Sequence, residues 1–320
     1  MGHDKLRKFA ENETFKCLLQ PSAAEALADG FFNLRDHEIK GRWNERMFDA
    51  PRPIVLELGC GKGEYTIDLA QRHPDCNYIG VDIKGARLWK GAKYATEHAL
   101  GNVAFLRTRI EFITAYFAPG EVSEIWLTFS DPQFRSENSR LTSPLFLERY
   151  RSFMRPGGIV HLKTDSMFLH MYSRAVAACN GLRVLGCTED LYATPRQAIA
   201  IPQANWVNSA SSPGVCTSLP DSSTPSLPDS PTSSLPGSSL PTLPDKTVEA
   251  LYEVQTFYEK MFLEQGYKIT YLSFVIDHYG PFVHPVDFDE DYWRSVEGPR
   301  LLFGHDSAET RRRKLHPQGE

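Results

Sequence analysis

The amino-acid sequence predicts a doubly wound α/β fold, a seven-stranded and mostly parallel sheet with helices on both faces. Three observations predict it. The apolar run 54–58 enters a turn with glycine at every second position, Gly59, Gly61 and Gly63, and a helical pattern follows. Strand, glycine turn and helix form the nucleotide cradle of doubly wound sheets. Short apolar runs then alternate with helical segments at the spacing of a parallel sheet with crossover helices. Acids close three of these runs, Asp82, Asp131 and Asp165, and open α/β sheets bind ligands at the carboxyl ends of their strands.

The elements follow in order. Residues 1–50 are expected to form a basic, partly helical N-terminal arm, with Lys5, Arg7, Lys8 and Lys16, then Lys40-Gly41-Arg42-Trp43-Asn44. That cluster either grips phosphate and stacks on a base, or anchors the arm to the core through Trp43. The main domain spans 51–276. Strands are predicted at 54–58, 77–82, 103–107, 123–129, 158–163, 182–187 and 268–276, with helices near 62–73, 85–99, 110–116, 144–154 and 166–179. Between the last two strands, 205–245 is rich in Ser, Pro and Thr, and Leu-Pro recurs every eight residues from Leu219-Pro220 to Leu243-Pro244. Such frequent proline blocks helix and ladder, and the segment has too few apolar groups to fold alone, so a disordered insertion is expected. One helix resumes at 247, with Val248, Leu251, Val254, Tyr258 and Met261 on one face, and ends at Gly266. Residues 277–320 form a C-terminal extension with an acidic aromatic patch at 287–293 and a basic tetrad at 311–314. The tetrad either touches RNA or is a solvated charge run.

Composition narrows the class. With 320 residues and 41% hydrophobic content, the chain can bury a full core. No apolar run approaches the roughly 18 residues of a membrane span, and the start lacks an apolar signal segment. Leu6 stands where a myristoylation signal needs Ser or Thr. The six cysteines form no C-x-x-C pair, so no metal is expected and a reduced, cytoplasmic setting is. Net charge is −5, but residues 1–165 carry 23 Lys/Arg against 22 Asp/Glu while 166–320 carry 12 against 18. The acidity belongs to the later half, which leaves a basic face on the front half open to nucleic acid.

The chemistry concentrates at the strand ends. The glycine spacing is G-x-G-x-G rather than the G-x-G-x-x-G of dinucleotide sites, and Glu57 precedes it. A carboxylate there repels phosphate and suits an ammonium, which points to S-adenosylmethionine. Asp82 either accepts from ribose hydroxyls or caps the following helix. Cys60 reads as a small side chain in a tight turn. Asp131, pinned by Pro132, is either an active-site carboxylate or an ordinary Asp-Pro turn. Arg135 and Arg140 follow it closely. Asp165 either caps the next helix or reaches substrate. Thr256 and Glu259, three apart, share a helix face, and capping or a surface role is the default from spacing alone.

Together, ELGCGKG at 57–63, GVD at 80–82, F-S-D-P at 129–132, L-K-T-D at 162–165 and T-F-Y-E at 256–259 resemble the tRNA (guanine-N7)-methyltransferases. The resemblance covers roughly 50–200 and 246–276. It implies a Rossmann-like class I methyltransferase fold, S-adenosylmethionine as cofactor and tRNA as partner. The implied reaction is methylation of N7 of a variable-loop guanosine, conventionally numbered 46. Carried over, Glu57, Asp82, the turn Gly59, Gly61 and Gly63, and Arg109 beside the adenine would hold the cofactor. Asp131 would sit where cofactor and guanine meet, as the catalytic carboxylate. Arg135, Asp165, Thr256, Phe257, Tyr258 and Glu259 would contact the guanosine. Ser130, Gln133 and Arg109 stand where the family usually has Pro, Trp, and Asp or Asn. Guanine N7 bears a lone pair and no proton, so its attack needs no general base, and a fixed carboxylate can stabilise the cationic product. Rival readings keep the fold with a small-molecule substrate, or make the chain a non-catalytic RNA binder.

Overall fold

The computed structural model describes residues 2–29, 33–200 and 243–298. Its strands are β1 (Leu18–Leu19), β2 (Leu27–Asp29), β3 (Asn33–Leu34), β4 (Ile54–Leu58), β5 (Asn77–Asp82), β6 (Val103–Arg107), β7 (Val122–Thr128), β8 (Met154–Thr164), β9 (Val184–Thr188) and β10 (Thr270–Val275). Eight form one sheet in the order β1-β6-β5-β4-β7-β8-β10-β9, and β2 pairs with β3 alone. All neighbours in the large sheet run parallel except β10, which is antiparallel to β8 and β9. The order turns back at β4, so β4 and β7 flank the crevice where such sheets bind ligands.

Seven of these strands are those the sequence predicts. The eighth, β1, joins the edge of β6 with Leu18 opposite Phe105. Two residues are too short to display a period. The strands read as unbroken apolar runs because both faces are covered. Alternate side chains divide between two cores: Leu56, Ile79, Leu106 and Ile125 enter one, Val55, Tyr78, Phe105 and Trp126 the other.

The predicted helix from 247 to 266 is two helices, Asp245–Glu253 and Phe257–Glu264. Lys163 stops the first: its buried ammonium donates to the carbonyls of Leu251 at 2.7 Å and Val254 at 3.1 Å, taking acceptors that a continuing helix would use. Thr256 then caps the second, accepting from the Glu259 amide at 3.1 Å. The stretch predicted as a helix at 110–116 is a 3-10 helix, Ile110–Ala115.

The arm is not basic. Residues 1–50 carry eight Lys/Arg against nine Asp/Glu. Arg7 pairs with Asp4 at 2.8 Å and Glu11 at 2.6 Å, Lys8 with Asp4, Lys40 with Asp36 and Arg42 with Glu45. Trp43 anchors: it is fully buried, stacks on Phe117 and donates to the Tyr116 carbonyl at 2.8 Å. Helix Gly2–Asn12 packs on helix Gly85–Glu97, where Glu11 accepts from the Trp89 indole at 2.7 Å and Asn12 donates to the Gly85 carbonyl at 3.0 Å.

Most of the predicted insertion at 205–245, and the basic tetrad at 311–314, lie outside the described residues. In the extension, Asp289 caps helix Glu290–Glu297, which packs on helix Met167–Cys179. Among the described residues, no helix is long and apolar enough to cross a membrane.

Candidate active site

The glycine turn hangs between the ends of β4 and β5. Gly59 and Cys60 both donate to the Val81 carbonyl, at 2.8 and 3.0 Å. Gly59 and Gly61 lie at φ +80° and +58°, and a Cβ at either would meet nothing within 4 Å. The chain needs glycine for a left-handed backbone here, and that backbone borders open space. Gly63, at the mouth of helix Glu64–Arg72, shares the left-handed backbone at φ +73° and adds a second reason: a Cβ would come within 2.6 Å of the Phe105 ring. Burial, with Glu57 and Asp82 nearby, raises the Cys60 thiol well above its ordinary value. Cys60 is therefore a poor nucleophile.

Two acids line this turn. Asp82 accepts from the Gly61 amide at 3.1 Å and from the Lys84 amide at 2.7 Å. It therefore ties the turn and shapes the entry to the next helix with one carboxylate. Glu57 lies deeper. One oxygen accepts from the Thr66 amide at 2.8 Å and from the Thr66 hydroxyl, the other from the Thr128 hydroxyl. Burial pushes its pKa up to about 7 against these three donors, and the charge of Asp82 pushes the same way. Its Thr128-bonded oxygen keeps one acceptor position, so Glu57 is the electrostatic floor of the turn.

Past Thr128 the backbone is forced. Phe129 and Gln133 have φ of +52° and +51°, a region that costs a non-glycine residue about 1–3 kcal/mol and persists where surrounding structure fixes it. The strained loop carries Asp131 on the surface, its carboxylate accepting from the Gln133 amide at 2.9 Å. Arg135 is exposed one turn on, and Pro132 is buried beneath. At the end of β8, Asp165 is buried and Ser166, not Asp165, caps the next helix by accepting from the Leu169 amide at 3.1 Å.

The late helices close the other wall. Phe257 donates its amide to Glu64 at 2.9 Å, which joins the T-F-Y-E run to the helix after the glycine turn. The Lys62 ammonium stands 4.6 Å from the Phe257 ring centroid. Phe257 and Tyr258 are 56% and 36% exposed, whereas Glu259 is fully buried. Its carboxylate is held by Lys163 at 2.8 Å and the Tyr192 hydroxyl at 2.7 Å. Burial lowers the Lys163 pKa, and the charge of Glu259 opposes that shift.

Comparison with known proteins decides the family. The model described as "Putative methyltransferase" matches residues 51–201. The tRNA (guanine-N(7)-)-methyltransferase of Christiangramia forsetii is 52% identical over 191 residues, 59% of this chain and 83% of the relative. That of Bacteroides fragilis is 38% identical over 296 residues, 92% of this chain and 95% of the relative. The chain belongs to the tRNA (guanine-N7)-methyltransferase family. Among solved structures, the 16S rRNA methyltransferase KamB is 14% identical, with a TM-score of 0.41 over 75% of this chain and 94% of that one.

The expected residues fall at the carboxyl ends of β4, β5, β7 and β8, after β6, and on the helix Phe257–Glu264 with its cap Thr256. Gly61 is hydrogen-bonded to Asp82 and Gly59 to Val81 next to it, while Glu57 bonds to Thr66 of the following helix and to Thr128 of β7. Arg109 follows the carboxyl end of β6, at the start of the 3-10 helix, and its guanidinium is paired with Glu111 at 3.1 Å. It offers only donors, so it cannot accept from an adenine amino group through its side chain. Sequence reasoning missed Thr66, Thr128, Lys163 and Tyr192, which fix the carboxylates of Glu57 and Glu259. Lys163 carried a signal: a lysine directly after the run 159–162, still within the predicted strand 158–163, needs a buried partner.

Proposed function

We propose that this enzyme transfers a methyl group from S-adenosylmethionine to N7 of guanosine 46 in the variable loop of tRNA. One observation carries the reading. Glu57, Asp82, Asp131 and Asp165 stand at the carboxyl ends of β4, β5, β7 and β8, and β4 leads into a glycine turn whose backbone borders open space. The turn and its acids fit the cofactor: Asp82 suits ribose hydroxyls, and Glu57 gives the floor a negative potential that favours an ammonium. When bound, S-adenosylmethionine supplies a methyl group on a cationic sulfur.

The chain's own residues do the rest. No base is required, because N7 attacks through a lone pair. Asp131 stabilises the positive charge that grows on the guanine ring, and the forced turn at Phe129 and Gln133 keeps its carboxylate from reorganising. Arg135 holds the nucleotide's phosphate or base edge. The exposed rings of Phe257 and Tyr258 stack on unpaired bases. Thr256 and Glu259 act from beneath, one capping that short helix and the other tying it to Lys163. Asp165 borders the guanosine from β8.

The test is transfer of labelled methyl from S-adenosylmethionine into an unmodified tRNA transcript, with nucleoside analysis. The expected product is 7-methylguanosine, lost when guanosine 46 is replaced by adenosine. Label surviving that replacement overturns the assigned position.

A further inference from the structure

The C-terminal extension touches the substrate loop at both of its ends. Helix Glu290–Glu297 presents a three-residue ion network. The Arg140 guanidinium donates to one oxygen of Glu290 at 2.8 Å, and Arg294 donates to the other. Arg294 also donates to the carbonyl of Phe134. That carbonyl belongs to the peptide that joins Phe134 to Arg135. The network therefore runs from Arg140, at the far end of the loop, back to the peptide from which Arg135 projects.

Further observations make this a brace. Arg140 is fully buried, with its guanidinium 4.8 Å from the Phe168 ring centroid and 4.3 Å from that of Tyr172, so the network has a fixed end. Trp293 packs with Phe134, Phe168, Met171 and Phe288 in a separate apolar cluster, which seats the helix directly on the loop. His284 meets Glu137, in the middle of the loop, at 2.8 Å, and Glu297 accepts from the Phe168 amide at 2.9 Å, near Asp165. The loop also holds Gln133 at a positive φ, and a strained residue needs its surroundings to over-determine it.

We propose that Glu290 and Arg294 are positioning residues for guanosine methylation, acting on tRNA through Arg135. The inference rests on the reading of the Asp131–Arg135 loop as the substrate loop. Neither residue touches the cofactor turn, so its affinity should stay at the parent level. A misplacement of about 1 Å at a reacting site costs up to roughly a hundredfold, so a loosened contact loop should cost on the order of tenfold.

The experiment is a double-mutant cycle on the full chain, reading kcat/KM for tRNA beside calorimetric affinity for S-adenosylmethionine. Arg294→Ala should lower kcat/KM about tenfold in the parent and less than about twofold in an Arg135→Ala background, because its effect travels through Arg135. Arg294→Lys keeps the charge beside Glu290 without the second bond to Phe134, and should fall between. It also serves if the alanine variant fails to fold. Equal losses in both backgrounds, or no loss in either, overturn the inference. Asp131→Asn is the control on the underlying reading. Its collapse beside an unimpaired Arg294→Ala removes the brace and keeps the loop's role. An unimpaired Asp131→Asn removes the role of Asp131 and leaves the coupling of Arg294 to Arg135 to stand on its own cycle.

Discussion

Asp131 and Glu57 are both carboxylates at strand ends, yet their surroundings give them opposite tasks. Asp131 is exposed and, among the described residues, held by the Gln133 amide, so it is free to face a cation that forms during the reaction. Asp131→Asn should leave cofactor affinity and melting temperature near the parent values while single-turnover methyl transfer falls by roughly 10²–10³-fold, the scale of a lost oriented charge. A parent rate in that variant would make Asp131 a turn residue. Glu57 is buried, with its pKa raised to about 7. The sign follows: between the ordinary carboxyl value of 4.5 and about 7, the folded state binds more protons than the unfolded one. Stability from this group is full below the lower value and is lost as pH rises through the higher. The loss amounts to roughly 3 kcal/mol at most. Urea unfolding of the unliganded protein at pH 5 and pH 8 should reveal that decline, and Glu57→Gln should flatten it. An equally steep decline in Glu57→Gln would assign it to another group. A cationic ligand demands the charged form, so cofactor binding near pH 7 should release more protons in the parent than in Glu57→Gln.

At the scale of elements, the site depends on a helix that the sequence hides. Periodicity joins Val248 to Met261 on one face, and nothing local to 247–266 marks a break except Thr256 as a cap. The break comes from Lys163 on β8, far away in sequence, which takes the Leu251 and Val254 carbonyls and the Glu259 carboxylate. Lys163→Met should strand a fully buried carboxylate and destabilise the fold by about 3–5 kcal/mol. The double variant with Glu259→Gln should recover a good part of that, as read by urea unfolding. If the double variant is no better than the single, the carbonyl contacts dominate and the ion pair is secondary. What was legible shares one property: it is encoded within a few residues. The strands β4 to β10, the glycine turn, and the strand-end acids Asp82, Asp131 and Asp165 all declare themselves by local pattern. What was not legible is set by distant partners. Glu57 shows as an acid before a glycine turn, but Thr66 and Thr128 decide how its oxygens are used. Glu259 shows as the end of a motif, but Lys163 and Tyr192 decide that it is buried. The arm is the exception: Asp4 and Glu11 pair with Arg7 and Lys8 from three or four residues away, so a count of both charges in 1–50 already shows it is not basic.

At the scale of the whole molecule, the sequence of the sheet domain carries three additions. Helix Gly2–Asn12 braces the entry to the helix after Asp82, and helix Glu290–Glu297 braces the substrate loop. The third addition, the Ser- and Pro-rich segment, interrupts the domain between β9 and the helices that carry Thr256 and Glu259. Its flanks meet on one residue. A Cβ on Gly186, in β9, would come within 3.1 Å of the Ile199 carbonyl and 3.2 Å of a Leu243 methyl. Ile199 and Leu243 are both buried there, and Ala200 bridges to Gly186. The chain thus leaves and re-enters the domain over the same glycine, so the ends to be joined already sit together. Loop closure costs only about 0.6 kcal/mol for each doubling of length. The eight-residue repeat has neither a helical nor a strand period with which to enter a core. The predicted insertion, 205–245, includes Leu243, which seals Gly186, so a replacement should run from 207 to 242 and keep it. Exchanging 207–242 for a short Gly-Ser linker should leave the melting temperature within a few degrees and methyl transfer to tRNA within about twofold, since a loop change with no altered packing moves stability little. A chain that also loses Leu243 should melt lower, because a buried leucine is worth about 2–5 kcal/mol. If the linker variant keeps its melting temperature but loses tRNA methylation, the segment takes part in gripping tRNA. If it loses both, the segment packs on the domain and its composition has misled.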